Sequence, residues 1–142
     1  MTELNVETLL NALENEDNEN ILQLDHQKIS KMKNDILQRL RLPREKLKQY
    51  NKSLKNYRFI DELPELHYGS YIRWITIKNP ENIKLTNGGI VCEMKVGDEG
   101  IVVVCKNRMN RFFSLKMNET LIFQRLTEQE QVLLSALDYL NS

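Results

Sequence analysis

The stretch Ile90-Val91-Cys92-Glu93-Met94-Lys95-Val96-Gly97-Asp98-Glu99-Gly100-Ile101-Val102-Val103-Val104-Cys105-Lys106 decides how this chain is read. Two runs rich in β-branched residues flank four residues that favour a turn, the pattern of a β-hairpin. A four-residue loop pairs Val96 with Ile101. Antiparallel alternation then sets Met94 opposite Val103 and Cys92 opposite Cys105. One face reads Ile90, Cys92, Met94, Val96 against Ile101, Val103, Cys105, all apolar, so the register is self-consistent. The other face mixes Glu93, Lys95 and Lys106 with three valines. The cross-strand cysteine pair Cys92 and Cys105 has two readings. Either both are reduced, buried thiols acting as small hydrophobes, or they form a disulfide, which needs close Cα atoms.

Working outward from the hairpin, strand-favouring residues continue on both sides. The expected strands are 71–77, a long 83–96 bent at Asn87-Gly88-Gly89, 101–106, 111–117 and 120–126. Thr127 with Glu130 then makes a capping box, and Leu133, Ala136, Leu137 and Leu140 form the stripe of a last helix. Before the strands the period is helical. Val6, Leu9, Leu10 and Leu13 make one stripe; Ile29, Met32, Ile36, Leu37 and Leu40 make a second. A third, starting near Pro43, carries Leu47, Tyr50, Leu54 and Tyr57. The expected fold class is α+β: N-terminal helices over residues 1–60, then, over 68–142, a small five-stranded antiparallel β-barrel, which the strand lengths and the bend at Asn87-Gly88-Gly89 make resemble the SH3-like kind, with a C-terminal helix.

The 142 residues, 41% hydrophobic and 28% charged, have globular composition. No apolar run approaches the roughly 18 residues of a membrane span, and residues 1–13 do not read as a signal peptide. A cytoplasmic location is expected, with the nucleus or a virus particle as further compartments, and not secretion. The formal net charge is zero, yet it is segregated. Residues 1–27 hold seven acids and no Lys or Arg. Residues 28–58 hold eleven basic residues against Asp35 and Glu45, a net of +9.

Those basic residues are the main functional clue, because Lys and Arg spaced along helices neutralise phosphates or face an acidic partner. They are Lys28, Lys31, Lys33, Arg39, Arg41 and Arg44, then Lys46, Lys48, Lys52, Lys55 and Arg58. Tyr50, Tyr57 and Phe59 add stacking capacity. The competing reading is a solvated face that offsets the acidic segment. A second candidate surface is the strand rim Arg73, Arg108 and Arg111, beside Trp74 and Phe113; aromatics at alternating positions also suit a core. Cys92, Cys105, His26 and His67 lack metal-ligand spacing, and no phosphate loop, nucleophile elbow or acid/base pair occurs. No catalytic residue, metal, cofactor or small-molecule substrate is therefore expected.

The run Tyr71-Ile72-Arg73-Trp74-Ile75-Thr76-Ile77, with Leu85, Gly88-Gly89 and the 101–106 strand, resembles a small SH3-like or Sm-like barrel domain of proteins from nucleocytoplasmic large DNA viruses. Trp74 stands where that family has Tyr, and Thr86-Asn87 intervene before the glycines, so no functional residue carries over. The resemblance implies a virion-associated or structural protein. The expected function is a non-catalytic structural or interaction protein whose partners are other proteins or its own copies. The alternative is nucleic-acid binding through the basic helices and the arginine rim.

Overall fold

The computed structural model describes residues 6–141; Glu3 and Ser142, included in the expectations above, lie outside them. The chain forms α1 (Val6–Glu14), a 3-10 segment (Glu16–Gln23), α2 (His26–Gln38) and α3 (Arg44–Ser53). Strands β1 (Tyr57–Ile60), β2 (Tyr71–Thr76), β3 (Gly89–Gly97), β4 (Gly100–Lys106), β5 (Phe112–Lys116) and β6 (Thr120–Arg125) follow, then α4 (Glu128–Asn141). All pairings are antiparallel, in the order β1-β6-β2-β3-β4-β5. Among the described residues no helix is long and apolar enough to cross a membrane.

Each helix begins or ends where its residues dictate. Asp25 accepts the Lys28 N–H at 2.7 Å, an N-cap that starts α2. Thr127 and Glu130 exchange two side-chain-to-backbone hydrogen bonds of 3.0 Å, the capping box that starts α4. At the end of α3 the buried ammonium of Lys33, on α2, donates to the Leu54 and Lys55 carbonyls at 2.7 and 3.2 Å. These carbonyls lie just past the last residue of α3, where the helical ladder no longer supplies donors, and the Leu54 carbonyl also accepts the Tyr57 N–H at 3.0 Å. Burial lowers the Lys33 pKa below its usual 10.5.

The five-stranded barrel is not what forms. A single open sheet of six strands forms instead, and two local events explain the difference. First, Tyr57 continues the spacing of Leu47, Tyr50 and Leu54, but the helix stops at Ser53. The chain then extends as β1, with Tyr57 opposite Arg125 and Phe59 opposite Phe123. Second, residues 83–88 do not extend β3. They contribute only an isolated bridge, Ile75 to Leu85, so β2 and β3 share just Tyr71↔Ile90 and Ile72↔Gly89. The long bent strand that would serve both halves of a barrel is absent, and β1 and β5 are left as edges.

The hairpin register holds for Val96↔Ile101 and Met94↔Val103, then shifts. Glu93 faces Val104 and Val91 faces Cys105, so Cys92 is the extra residue of a bulge. The bulge swaps faces: Val91 and Cys105 point into the core, while Ile90 and Cys92 are exposed. The expected opposition of Cys92 and Cys105 is therefore displaced by one residue, and both thiols are free.

Three apolar clusters hold the chain together. On one sheet face Ile60, Ile72, Trp74, Val91, Val103 and Ile122 pack with Leu66. On the other, Ile75, Leu121 and Phe123 meet Leu37 of α2 and Tyr50 and Leu54 of the α3 end. Phe59 and Phe123 stack at 5.7 Å between centroids. The third cluster joins Ala12, Ile21 and Ile29 to Leu126, Leu133 and Leu134. The segments 1–60 and 68–142 thus share cores, and β1 places part of the first in the sheet.

Candidate functional site

The start of β1, the end of β6 and the start of β2 leave a groove of about 840 Å³, to which Tyr57, Tyr71, Arg73 and Arg125 come from the sheet face that receives α2 and α3, and Trp74 and Phe113 from the opposite face. Tyr57, Tyr71 and Arg73 line it with Arg125, and Trp74 and Phe113 close its far side. Strand pairing explains the grouping. Tyr57 is directly opposite Arg125, and Arg73 is opposite Phe123, two residues from Arg125 on the same face. Proximity also shows in the Tyr57 hydroxyl. Burial raises its pKa above the usual 10.0, while the positive charges of Arg73 and Arg125 pull against that shift.

Two loops complete the groove. The first, residues 86–88, is stitched to β2. The Thr86 N–H donates to the Trp74 carbonyl at 3.0 Å, and the Trp74 N–H donates to the Thr86 hydroxyl at 3.2 Å. Arg73 Nε donates to the Thr86 carbonyl at 2.8 Å, which aims the guanidinium while leaving its other donors for a ligand. The Tyr71 hydroxyl donates to the Asn87 carbonyl. Gly88 makes this approach possible, since a Cβ there would lie 2.4 Å from the Ile72 carbonyl oxygen. The second loop presents Arg108 and Met109. Its Asn107 side chain accepts the Met109 and Arg111 N–H groups at 2.9 and 3.0 Å.

The groove is cationic and aromatic together. Among the described residues it is lined by three arginines and by no carboxylate. Among the described residues none of the three pairs with an acid. Trp74 is only 5% exposed and acts mainly as wall, 6.2 Å from the Phe113 ring. Phe113, at 41% exposed, offers a usable ring face.

No family model, curated protein or solved structure matches this chain.

The structure divides the basic residues read from the sequence into three groups. Lys33 and Arg58 are buried and structural: the first closes α3, and the second pairs with Glu65 beneath the sheet. Arg73 and Arg108 are brought together in the groove. Arg111 is exposed beyond the second loop and does not line it. The others are exposed on α2, α3 and the turns between them: Lys28, Lys31, Arg39, Arg41 and Arg44, then Lys46, Lys48, Lys52 and Lys55. Of these, Lys31 pairs with Asp35 at 2.9 Å. Among the aromatics suggested for stacking, Tyr57 reaches the groove, whereas Tyr50 and Phe59 belong to the helix–sheet core. Sequence reasoning missed Arg125. The alternation Leu121, Phe123, Arg125 places it on the helix-covered face, but only the β1–β6 pairing sets it beside Tyr57.

Cys105 is buried, and desolvation pushes its thiol up to about 11. The His26 ring pairs with Asp138. His67 lines a polar cleft at the start of α4, and its backbone N–H donates to the Gln124 side chain at 2.8 Å.

Proposed function

We propose that this protein binds nucleic acid, holding it in the groove between β1, β6 and β2. The observation that carries the reading is the lining: Arg73, Arg108 and Arg125 with Tyr57, Tyr71 and Phe113, and no carboxylate. Guanidinium groups bind phosphates in a planar fork. Tyrosine and phenylalanine rings accept any base by stacking, which is the working principle of sequence-tolerant nucleic-acid grooves. Arg73 is held by the Thr86 carbonyl before any ligand arrives. Its ordering entropy is therefore already spent.

The test is fluorescence anisotropy with labelled DNA and RNA at low and physiological salt. Binding that weakens steeply with salt, and drops about tenfold or more in the double variant Arg73→Gln/Arg125→Gln, supports the reading. Unchanged binding in that variant sinks it.

A second reading, self-assembly as a structural protein, is favoured by one observation. Val6, Leu10 and Leu13 lie along one side of α1 and are exposed, Val6 by 68%. The helix instead buries Ala12 against α4. Light scattering of the protein alone decides it. A concentration-dependent mass that Leu10→Glu abolishes supports assembly, and a monomer at all concentrations removes it.

A further inference from the structure

A second cleft, of about 750 Å³, lies between α2 and α3. Among the described residues Lys31, Lys33 and Lys55 line it with His26 and no carboxylate does; Lys31 holds a solvent-exposed ion pair to Asp35, so a phosphate there competes with that carboxylate, and the His26 ring pairs with Asp138. It adjoins the aromatic groove through covalent neighbours. Tyr57 and Arg125 line the groove; Asn56 and Leu126, one residue away on the same two chain segments, line the cleft. The Leu126 N–H donates to the Asn56 carbonyl at 2.8 Å, so these segments stay side by side across the step. Adjacent Cα atoms are about 3.8 Å apart, so the two linings meet at these two chain steps.

The groove also touches a third cleft, which shares Tyr71 and Arg125 with it. That cleft contains Glu128, which is exposed, and Glu130, which is buried as the capping-box partner of Thr127. A polyanion leaving the groove meets the exposed Glu128 carboxylate in one direction and lysines in the other.

We infer that the ligand is a single-stranded nucleic acid, stacked on Tyr57, Tyr71 and Phe113 in the groove and continuing over the Asn56–Tyr57 step to Lys31 and Lys55. The inference rests on the groove reading above and adds the strand state and the path. Single strands present free base faces to aromatic rings, whereas a duplex hides them in its stack. The lysine cleft has no Phe, Tyr or Trp in its lining, and its one aromatic ring, His26, is held by Asp138, so it takes backbone and not bases. Lys33 is excluded from the ligand because its ammonium is committed to the α3 carbonyls.

The experiment compares labelled single strands of about four and about twelve nucleotides, as both DNA and RNA, with a duplex of the longer length. The proteins are the full chain, Lys31→Gln/Lys55→Gln and Arg73→Gln/Arg125→Gln. Both replaced pairs are solvent-accessible and lie outside the apolar clusters, and thermal melts check each fold. The expected result is tighter binding of the longer single strand. The lysine variant loses about tenfold on that strand and nothing on the short one, and the arginine variant weakens both. The DNA and RNA arms state which sugar is preferred. Equal affinity for both lengths, or a lysine variant that leaves the long strand unchanged while the arginine variant still weakens it, overturns the path and leaves the groove reading standing. A duplex bound as tightly as the single strand overturns the strand state. No binding by any probe at low salt removes both.

Discussion

Gly88→Ala tests the fold and the groove together. Gly88 has φ +98°, a region that residues with a Cβ rarely adopt. Holding alanine there costs about 1–3 kcal/mol in backbone strain alone. The added Cβ would lie 2.4 Å from the Ile72 carbonyl oxygen, 2.8 Å from a Tyr71 ring carbon and 3.0 Å from the Arg73 Cγ. The nearest atom belongs to the backbone of a central strand, so the loop must move and not the neighbour. Overpacking of this kind adds about 1 kcal/mol or more. The total is about 3 kcal/mol, or roughly 10 °C in melting temperature for a domain of this size. Gly97→Ala is the internal control: a Cβ there meets nothing within 4 Å, and the change should cost less than about 0.5 kcal/mol. Urea unfolding of both variants supplies the magnitudes. Because the displaced loop carries the Thr86 carbonyl that holds Arg73, Gly88→Ala should also weaken nucleic-acid binding under conditions where the variant is still folded. If Gly88→Ala and Gly97→Ala melt within about 1 kcal/mol of each other, the account of the loop seated on β2 is wrong.

Four further outcomes follow from buried groups and the two cysteines. Burial lowers the Lys33 pKa, so just below pH 10.5 the unfolded chain binds the proton more tightly and stability rises with pH through that window. Lys33→Met should remove that rise and cost about 1–3 kcal/mol, because the Lys55 carbonyl loses this donor and the Leu54 carbonyl keeps only the Tyr57 N–H, both read from urea titrations at neutral and alkaline pH. The Cys105 thiol, raised from 9.0 to about 11, contributes stability that is complete below pH 9 and lost as pH climbs through 11; Cys105→Ala should flatten that decline. A maleimide should label Cys92 alone in the folded protein and both thiols after unfolding, with mass spectrometry as the readout, and a native Cys92–Cys105 disulfide would contradict the bulge. Glu65→Ala should cost about 3–5 kcal/mol, because it leaves the Arg58 charge buried alone; Arg58→Met in the same chain should recover most of that loss in a denaturation double-mutant cycle.

The parts of the fold legible in the sequence are those where local chemistry decides the outcome. Thr127 and Glu130 sit three residues apart, and their capping box needs no tertiary information. The hairpin turn was equally local, since glycines at positions 97 and 100 bracket it. The errors came where two local signals competed or where a distant partner decided. Tyr57 fits a helical stripe by spacing, yet Phe59 and Ile60 beyond it each bury a side chain in a sheet cluster only if the segment extends. Pairing with β6, more than sixty residues later, settles that contest. The bulge at Cys92 was hidden because both registers keep apolar residues inside: Val91 replaces Cys92 at no loss of hydrophobicity. The α1 stripe shows the limit of a periodic pattern. It correctly marks a helix, but α1 buries Ala12 against α4 and leaves Val6 and Leu10 outside. The groove was half legible for the same reason. Arg73 and Tyr71 share a strand, whereas Arg125 and Tyr57 join them only through strand pairing.

Charge segregation along the chain becomes segregation in space, and it limits how salt-sensitive binding can be. α1 and the 3-10 segment, which carry Glu7, Glu14, Glu16 and Glu19, pack against α4, whose first turn holds Glu128 and Glu130. Acids there are favoured by the positive end of the α4 dipole. The basic helices α2 and α3 pack on the sheet through Leu37, Tyr50 and Leu54, against Ile75, Leu121 and Phe123. A zero net charge gives a polyanion little attraction from beyond a Debye length of about 8–10 Å, so capture depends on cations within contact. The groove and the lysine cleft supply five such groups: Arg73, Arg108 and Arg125 with Lys31 and Lys55. Each phosphate neutralised on a single strand contributes about −0.7 to the slope of log affinity against log salt, so a fully seated strand should give about −3.5. Removing the two lysines should bring the slope to about −2. A slope steeper than about −7 would mean that the remaining exposed cations of α2 and α3 bind the strand and that the two clefts do not define its path. A slope near zero, with stacking still measurable, would mean that the arginines contact bases and not phosphates.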